Sequence, residues 1–146
     1  MARPNIICLF PALLMLQSCT LLAGADQPSP SFADYRQQTL NTLEQRRSFQ
    51  TPDHAAELQW NAPQEWRPTG QPEGGILLVH GLGDSPWSFH DVGTKLAAQG
   101  FLVRTVLLPG HGTQPGDLLD TSWQEWARTV AYGTDQLAAE VDEVYL

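Results

Sequence analysis

Residues 75–86 read Gly-Ile-Leu-Leu-Val-His-Gly-Leu-Gly-Asp-Ser-Pro, and they hold the clearest chemistry in the chain. Ile76 to Val79 is an unbroken apolar run without polar alternation, the pattern of a strand buried on both faces of a parallel sheet. Gly81 and Gly83 let the backbone turn sharply and approach a ligand. Ser85 and Pro86 read as the cap and first position of a following helix. A strand that runs into a helix N-terminus leaves unpaired amides aimed at the turn, a place that favours negative charge, bound or transient. Two common anion-binding turns do not fit. A dinucleotide fingerprint needs glycine where Pro86 stands. A P-loop around Gly93-Thr94-Lys95 lacks its earlier glycine, which is Ser88 here, and has Leu96 in place of the metal-binding hydroxyl.

The remaining pattern, His80-Gly81-x-Gly83 after a strand, resembles the oxyanion-hole segment of α/β-hydrolases such as bacterial carboxylesterases and monoacylglycerol lipases. Pro109-Gly110-His111-Gly112-Thr113 follows a second apolar run and is similar to a loop of the same esterase and lipase branch. With the Trp-rich helix after it, the resemblance spans residues 74–146. It implies an α/β-hydrolase fold with a doubly wound, mostly parallel sheet. The backbone N–H of Leu82 would be an oxyanion donor, and His80 a structural member of the motif, not the catalytic base. Gly81, Gly83, Asp84 and His111 would join His80 around the pocket. The implied activity is a serine hydrolase acting on carboxylic esters such as monoacylglycerols or lysophospholipids, with no cofactor.

Such chemistry needs an activated serine, a histidine base, an acid that orients it and donors for the tetrahedral oxyanion. In the resembled fold the order is serine, acid, histidine, with the serine in G-x-S-x-G directly after the strand that follows a helix like the one starting near Trp123. Val144-Tyr145-Leu146 reads as the beginning of that strand, so the elbow is expected just past the last residue. On this reading the chain is a fragment that lacks nucleophile, acid and base and does not turn over substrate alone. Gly83-Asp84-Ser85-Pro86-Trp87 is only a near match to the elbow, because Trp87 occupies the second glycine position and Pro86 removes a required N–H. His54, His80, His90 and His111 all precede any elbow. His90 reads as an exposed helix residue and His111 as a loop residue at the pocket mouth. No histidine pair has metal-ligand spacing with a third ligand nearby. Two other classes stay open: the same fold with an aspartate nucleophile, as in dehalogenases and epoxide hydrolases, or a non-catalytic envelope lipoprotein or binding module. The PGHG loop favours the esterase.

The elements that must hold these residues follow from pattern. Trp87–Gln99 reads as a helix with Phe89, Gly93, Leu96 and Ala97 on its inner face and Gly100 as its cap. Phe101–Leu108 reads as the next buried strand, giving a βαβ crossover. Ser122-Trp123-Gln124-Glu125 is a capping box. Behind it Trp123, Trp126, Ala127, Val130, Leu137, Ala138 and Val141 mark a long amphipathic helix, with both tryptophans as core anchors. Upstream, Phe32, Tyr35, Leu40, Leu43 and Phe49 have loose helical spacing. Runs around Leu58-Gln59-Trp60 and Glu65-Trp66-Arg67, separated by Pro63 and closed by Pro68, suit edge strands with Trp60 and Trp66 in packing roles.

The chain has 146 residues, whereas hydrolases of this class run to about 200–250 as one domain. A formal charge of −8 without a clustered basic stretch argues against nucleic acid and against polybasic membrane binding. Residues 1–25 read as a signal peptide, with Arg3 before an apolar stretch from Ile6 to Leu16 that is too short to span a bilayer. Leu16-Gln17-Ser18-Cys19 resembles a bacterial lipobox with Cys19 as the lipidated residue, while Ala23-Gly24-Ala25 fits a cleavage site that would release a soluble secreted or periplasmic protein. The lipobox is preferred, since Cys19 directly follows the apolar stretch with small Ser18 before it; with Thr20 after it in place of a retention aspartate, the resemblance to bacterial lipoproteins implies the outer membrane. Cys8 leaves with the leader, so no intramolecular disulfide is expected. Residues 26–31 form a short tether, and 32–146 the N-terminal part of a hydrolase domain.

Overall fold

The computed structural model describes residues 29–146; the expected leader, both processing sites and the first half of the tether lie outside the described residues. The element order is α1 (Phe32–Arg46), α2 (His54–Asn61), β1 (Glu65–Trp66), β2 (Gly74–Val79), a 3-10 turn (Pro86–Phe89), α3 (His90–Ala98), β3 (Phe101–Val106), a second 3-10 segment (Pro115–Asp120), α4 (Trp123–Ala138) and β4 (Val144–Tyr145).

The sheet order is β1-β3-β2-β4. β2 pairs in parallel with both β3 and β4, and β1 lies antiparallel on β3. From β2 the chain steps outward to β3, then returns across β2 to reach β4. Right-handed crossovers place the two connecting helices on opposite faces when the stepping direction reverses, and α3 and α4 are so placed. On the α3 face, Trp66 lies against Gly93. On the α4 face, Leu77 and Val106 lie against Gly133, where an added Cβ would sit 2.9 Å from Leu77 and 3.0 Å from Val106. Glycine there lets helix and sheet approach closely. Leu77, Leu102, Val106, Leu108 and Leu137 form the core on this side, with Tyr35, Trp126 and Val130 packed around it.

Arg104 breaks the apolar run of β3 and is nevertheless 2% exposed. Register sets it opposite Glu65 on the α4 face. Its guanidinium pairs with Glu65 at 2.6 Å and with Glu140, donates to the Gln136 carbonyl at 2.8 Å, and lies 4.7 Å from the Phe32 ring centroid. Arg67 completes the network by pairing with Glu65 at 2.8 Å and Glu140 at 2.9 Å.

Three expectations are corrected. The run around Leu58-Gln59-Trp60 is helical, not an edge strand: the Asp53 side chain caps α2 by accepting from Ala56 N–H at 2.9 Å, and the strand is confined to Glu65–Trp66. Trp123 is no core anchor, being 68% exposed, because the face of α4 that meets the core starts at Trp126. Ala127 and Ala138 are also exposed, and the inward stripe is Trp126, Val130, Gly133 and Leu137. Finally, the Ser85 side chain makes no capping bond. The Asp84 carboxylate instead accepts from Ser85 N–H at 2.7 Å and from the Ser88 hydroxyl.

Candidate active site

β2 delivers His80 to Asp84 to the carboxyl end of the sheet, where the reversal in strand stepping opens a crevice. Asp84 N–H donates to Gly81 carbonyl at 3.2 Å, closing a turn with Leu82 and Gly83 at its centre. Gly83 has φ +76°, a backbone state that other residues adopt at a cost, and open space lies where its Cβ would be. The turn's closing bond does not use the N–H of its second residue. Among the described residues Leu82 N–H has no acceptor, and the Leu82 side chain is 77% exposed.

His80 is buried beneath this turn. Its Nδ1–H donates to Gly81 carbonyl at 2.9 Å, and its Nε2 accepts from Leu108 N–H at 3.1 Å. Both ring nitrogens are therefore committed to main chain, which fixes the neutral tautomer. Burial pushes its pKa below the usual histidine value, and the nearby His111 pushes the same way. His80 thus ties the turn after β2 to the loop after β3.

That second loop, Leu107–Thr113, is gripped from several sides by its backbone. The Tyr35 hydroxyl donates to Leu107 carbonyl at 3.2 Å and accepts from Leu107 N–H at 3.1 Å. Trp126 Nε1–H donates to Pro109 carbonyl at 3.0 Å, and Arg47 Nη1 to Gly112 carbonyl at 2.6 Å. Arg47 Nε also pairs with Glu57 at 2.8 Å. Burial works against the Glu57 charge, but donors from Thr51, Arg47 and Gln50 outweigh it and hold its pKa at about 2. His111 is buried edge-on against His80, ring centroids 4.8 Å apart. Its Nδ1–H donates to Pro109 carbonyl at 3.2 Å, and its Nε2 is the unpartnered buried side-chain polar atom among the described residues.

Turn, loop and N-terminal helices flank an open cavity of about 690 Å³. Gly83, Asp84, Ser85 and Trp87 form one wall; Gly110 to Pro115, including His111, form the second; Arg47, Trp60 and Asn61 form the third. Of the residues expected around the pocket, Gly83, Asp84 and His111 line it. His80, Gly81 and Leu82 do not: His80 is buried beneath the turn and spent on backbone bonds, while Gly81 and Leu82 are exposed on the turn itself, at the edge of this lining. Asp84 is held below the usual carboxylate range by the Ser88 hydroxyl and then by Ser85 N–H, so it is charged at neutral pH. Arg47, Trp60, Asn61 and Trp87 were not singled out as site residues in the sequence. They arrive through contacts such as Arg47 to Gly112, 65 positions apart, for which no local pattern exists.

Over 72 residues, 49% of this chain, the sequence is 31% identical to a thermostable monoacylglycerol lipase from Bacillus sp. (strain H-257). A solved structure from the metagenome-derived lipolytic enzymes LipS and LipT superposes with a TM-score of 0.51 at 26% identity, covering 56% of this chain. Its fold is an α/β-hydrolase fold. The chain spans 29% of the length of the Bacillus lipase and 32% of the LipS/LipT chain. No protein-family profile matches the chain. Within this fold the described residues supply the strand-to-helix turn and its pocket. No histidine among them hydrogen-bonds a serine: His80 is committed to main chain, His111 donates to Pro109, His90 stacks on Trp87 at 4.4 Å and His54 on Phe49 at 3.9 Å. No cluster of three or more His, Cys, Asp or Glu side chains suited to a metal occurs among the described residues.

Proposed function

We propose that this chain belongs to a hydrolase of carboxylic esters in which the turn after β2 binds the tetrahedral oxyanion through Leu82 N–H. The carrying observation is that amide: it is unpaired, it sits at the carboxyl end of a central parallel strand, and its turn is fixed from below by His80 and from the side by Asp84. A donor held in place before the charge develops needs no reorganisation during the reaction. The similarity to lipolytic enzymes supports acyl esters, with monoacylglycerols and lysophospholipids as the substrates of choice. The serine, acid and histidine belong to segments other than the turn and loops described above.

The test is hydrolysis of p-nitrophenyl acyl esters by the full-length protein. Leu82→Pro removes the amide hydrogen and should lower kcat by about 10²-fold or more. An unchanged kcat with an intact fold would sink the oxyanion assignment.

We also propose that the protein is a bacterial envelope lipoprotein anchored through Cys19, in the outer membrane. Cys19→Ala should shift it from the membrane to the soluble fraction of cells. Unaltered membrane association would refute lipidation.

A further inference from the structure

We infer that Trp60 and Trp87 form the acyl-binding subsite of this cavity, so that the N-terminal helix α2 selects the ester's fatty chain. This inference rests on the ester-hydrolase reading and adds which residues hold which part of the substrate. Trp87 is five residues beyond Leu82 and stands on the 3-10 turn that continues the oxyanion segment. Trp60 comes from the last turn of α2 and meets it with ring centroids 6.2 Å apart and planes tilted by 51°. Both indoles line the cavity, yet they are 37% and 43% exposed, so their apolar faces are not consumed by the core. Trp87 is braced from behind by the stacked His90 ring, 4.4 Å away at 20°. Aromatic side chains offer a large rigid apolar surface at low entropic cost.

The rest of the lining differs in kind. Arg47, Asn61 and Thr113 are polar, and the Arg47 charge is already matched by the buried Glu57 carboxylate. An amphiphile entering this space gains most with its alkyl chain on the indoles and its uncharged polar end toward the PGHG loop. The ester carbon between them then falls beside the turn that carries Leu82. Trp60 is thereby a specificity-determining residue, supplied by a segment upstream of the strand-turn-helix unit.

The probe is 1-O-decylglycerol, whose ether cannot be hydrolysed, titrated below micelle formation against the full-length protein by tryptophan fluorescence. Saturable binding is expected, weakening about fourfold for each methylene removed in the octyl and hexyl ethers. Trp60→Ala should weaken binding tenfold or more, and Trp87→Ala similarly, whereas Trp123→Ala, outside the cavity, should bind as the parent does. The proposal is overturned if the ether does not bind, if affinity ignores chain length, or if Trp60→Ala and Trp87→Ala both bind normally. Should Trp60→Ala misfold by circular dichroism, Trp87→Ala decides alone. Ether binding without esterase activity would fault the hydrolase reading and spare the subsite. Esterase activity with chain-length-independent kcat/KM would do the reverse.

Discussion

His80 is held neutral by burial, while Glu57 is held charged by converging donors, and both make the fold sensitive to acid. The unfolded chain protonates histidine near 6.5, above the value in the fold. The His80 contribution is therefore complete above that pH and is lost as pH falls toward its folded value. Glu57 titrates at about 2 in the fold against an ordinary 4.5, so its contribution is complete above pH 4.5 and disappears between 4.5 and 2. Urea denaturation across pH should show two successive losses. His80→Gln should abolish the first and keep the second, whereas Glu57→Gln should keep the first and shrink the second, to which other depressed carboxylates such as Asp84 also contribute; one acid limb insensitive to His80→Gln would contradict a buried neutral imidazole. At this scale the sequence announced the turn well, because Gly81, Gly83 and the strand before them are a local signal. It was silent on the His80–His111 contact and on Arg47, since partners 31 and 65 positions away leave no periodic trace.

Among the elements, α1 does more than cover the sheet. Its Tyr35 satisfies both main-chain groups of Leu107 where β3 ends, and burial lifts that phenol to about 12, so it stays a neutral donor and acceptor at any ordinary pH. Tyr35→Phe leaves a buried N–H and a buried carbonyl without partners and should cost about 1–3 kcal/mol in chemical denaturation. A smaller loss would mean that water replaces the hydroxyl. Strands β2 and β3 and helix α4 were readable because apolar runs and a 3.6-residue stripe are strong patterns. Helix α2 was not, although Asp53 followed by Ala56 and Glu57 is a capping signal: the short Leu58-Gln59-Trp60 run beside Pro63 imitates an edge strand. Trp123 misled for another reason. Helical periodicity identifies a face but says nothing about where along the helix contact with the core begins.

For the whole molecule, strand order could not be read from the chain, since it depends on which face each crossover takes. The network of Glu65, Arg67, Arg104 and Glu140 shows why. It joins the antiparallel edge strand β1, the inner strand β3 and the residues just past α4, with the Arg104 partners 36 and 39 positions away, and it locks β1 onto β3 in one register. Arg104→Met keeps the apolar bulk but sets two carboxylates facing each other, relieved only by Arg67. The expected loss is about 3 kcal/mol, at the low end for breaking a buried ion pair because both carboxylates keep partial access to water. A urea midpoint within error of the parent would show that the network is dispensable.

The loop Leu107–Thr113 is gripped through carbonyls and amides, by Tyr35, Trp126, Arg47, His80 and by Ser48 N–H on Thr113 carbonyl at 3.3 Å. Apart from Gly110 and Gly112, where positive φ and close neighbours admit no side chain, a scaffold that holds a loop by its peptide groups is indifferent to the side chains displayed beside it. Substitutions at exposed Gln114, or at other wall positions whose side chains point away from that grip, can thus accumulate and retune what the cavity accepts without disturbing its frame. In evolutionary terms, the architecture separates inheritance of the fold from divergence of its substrate.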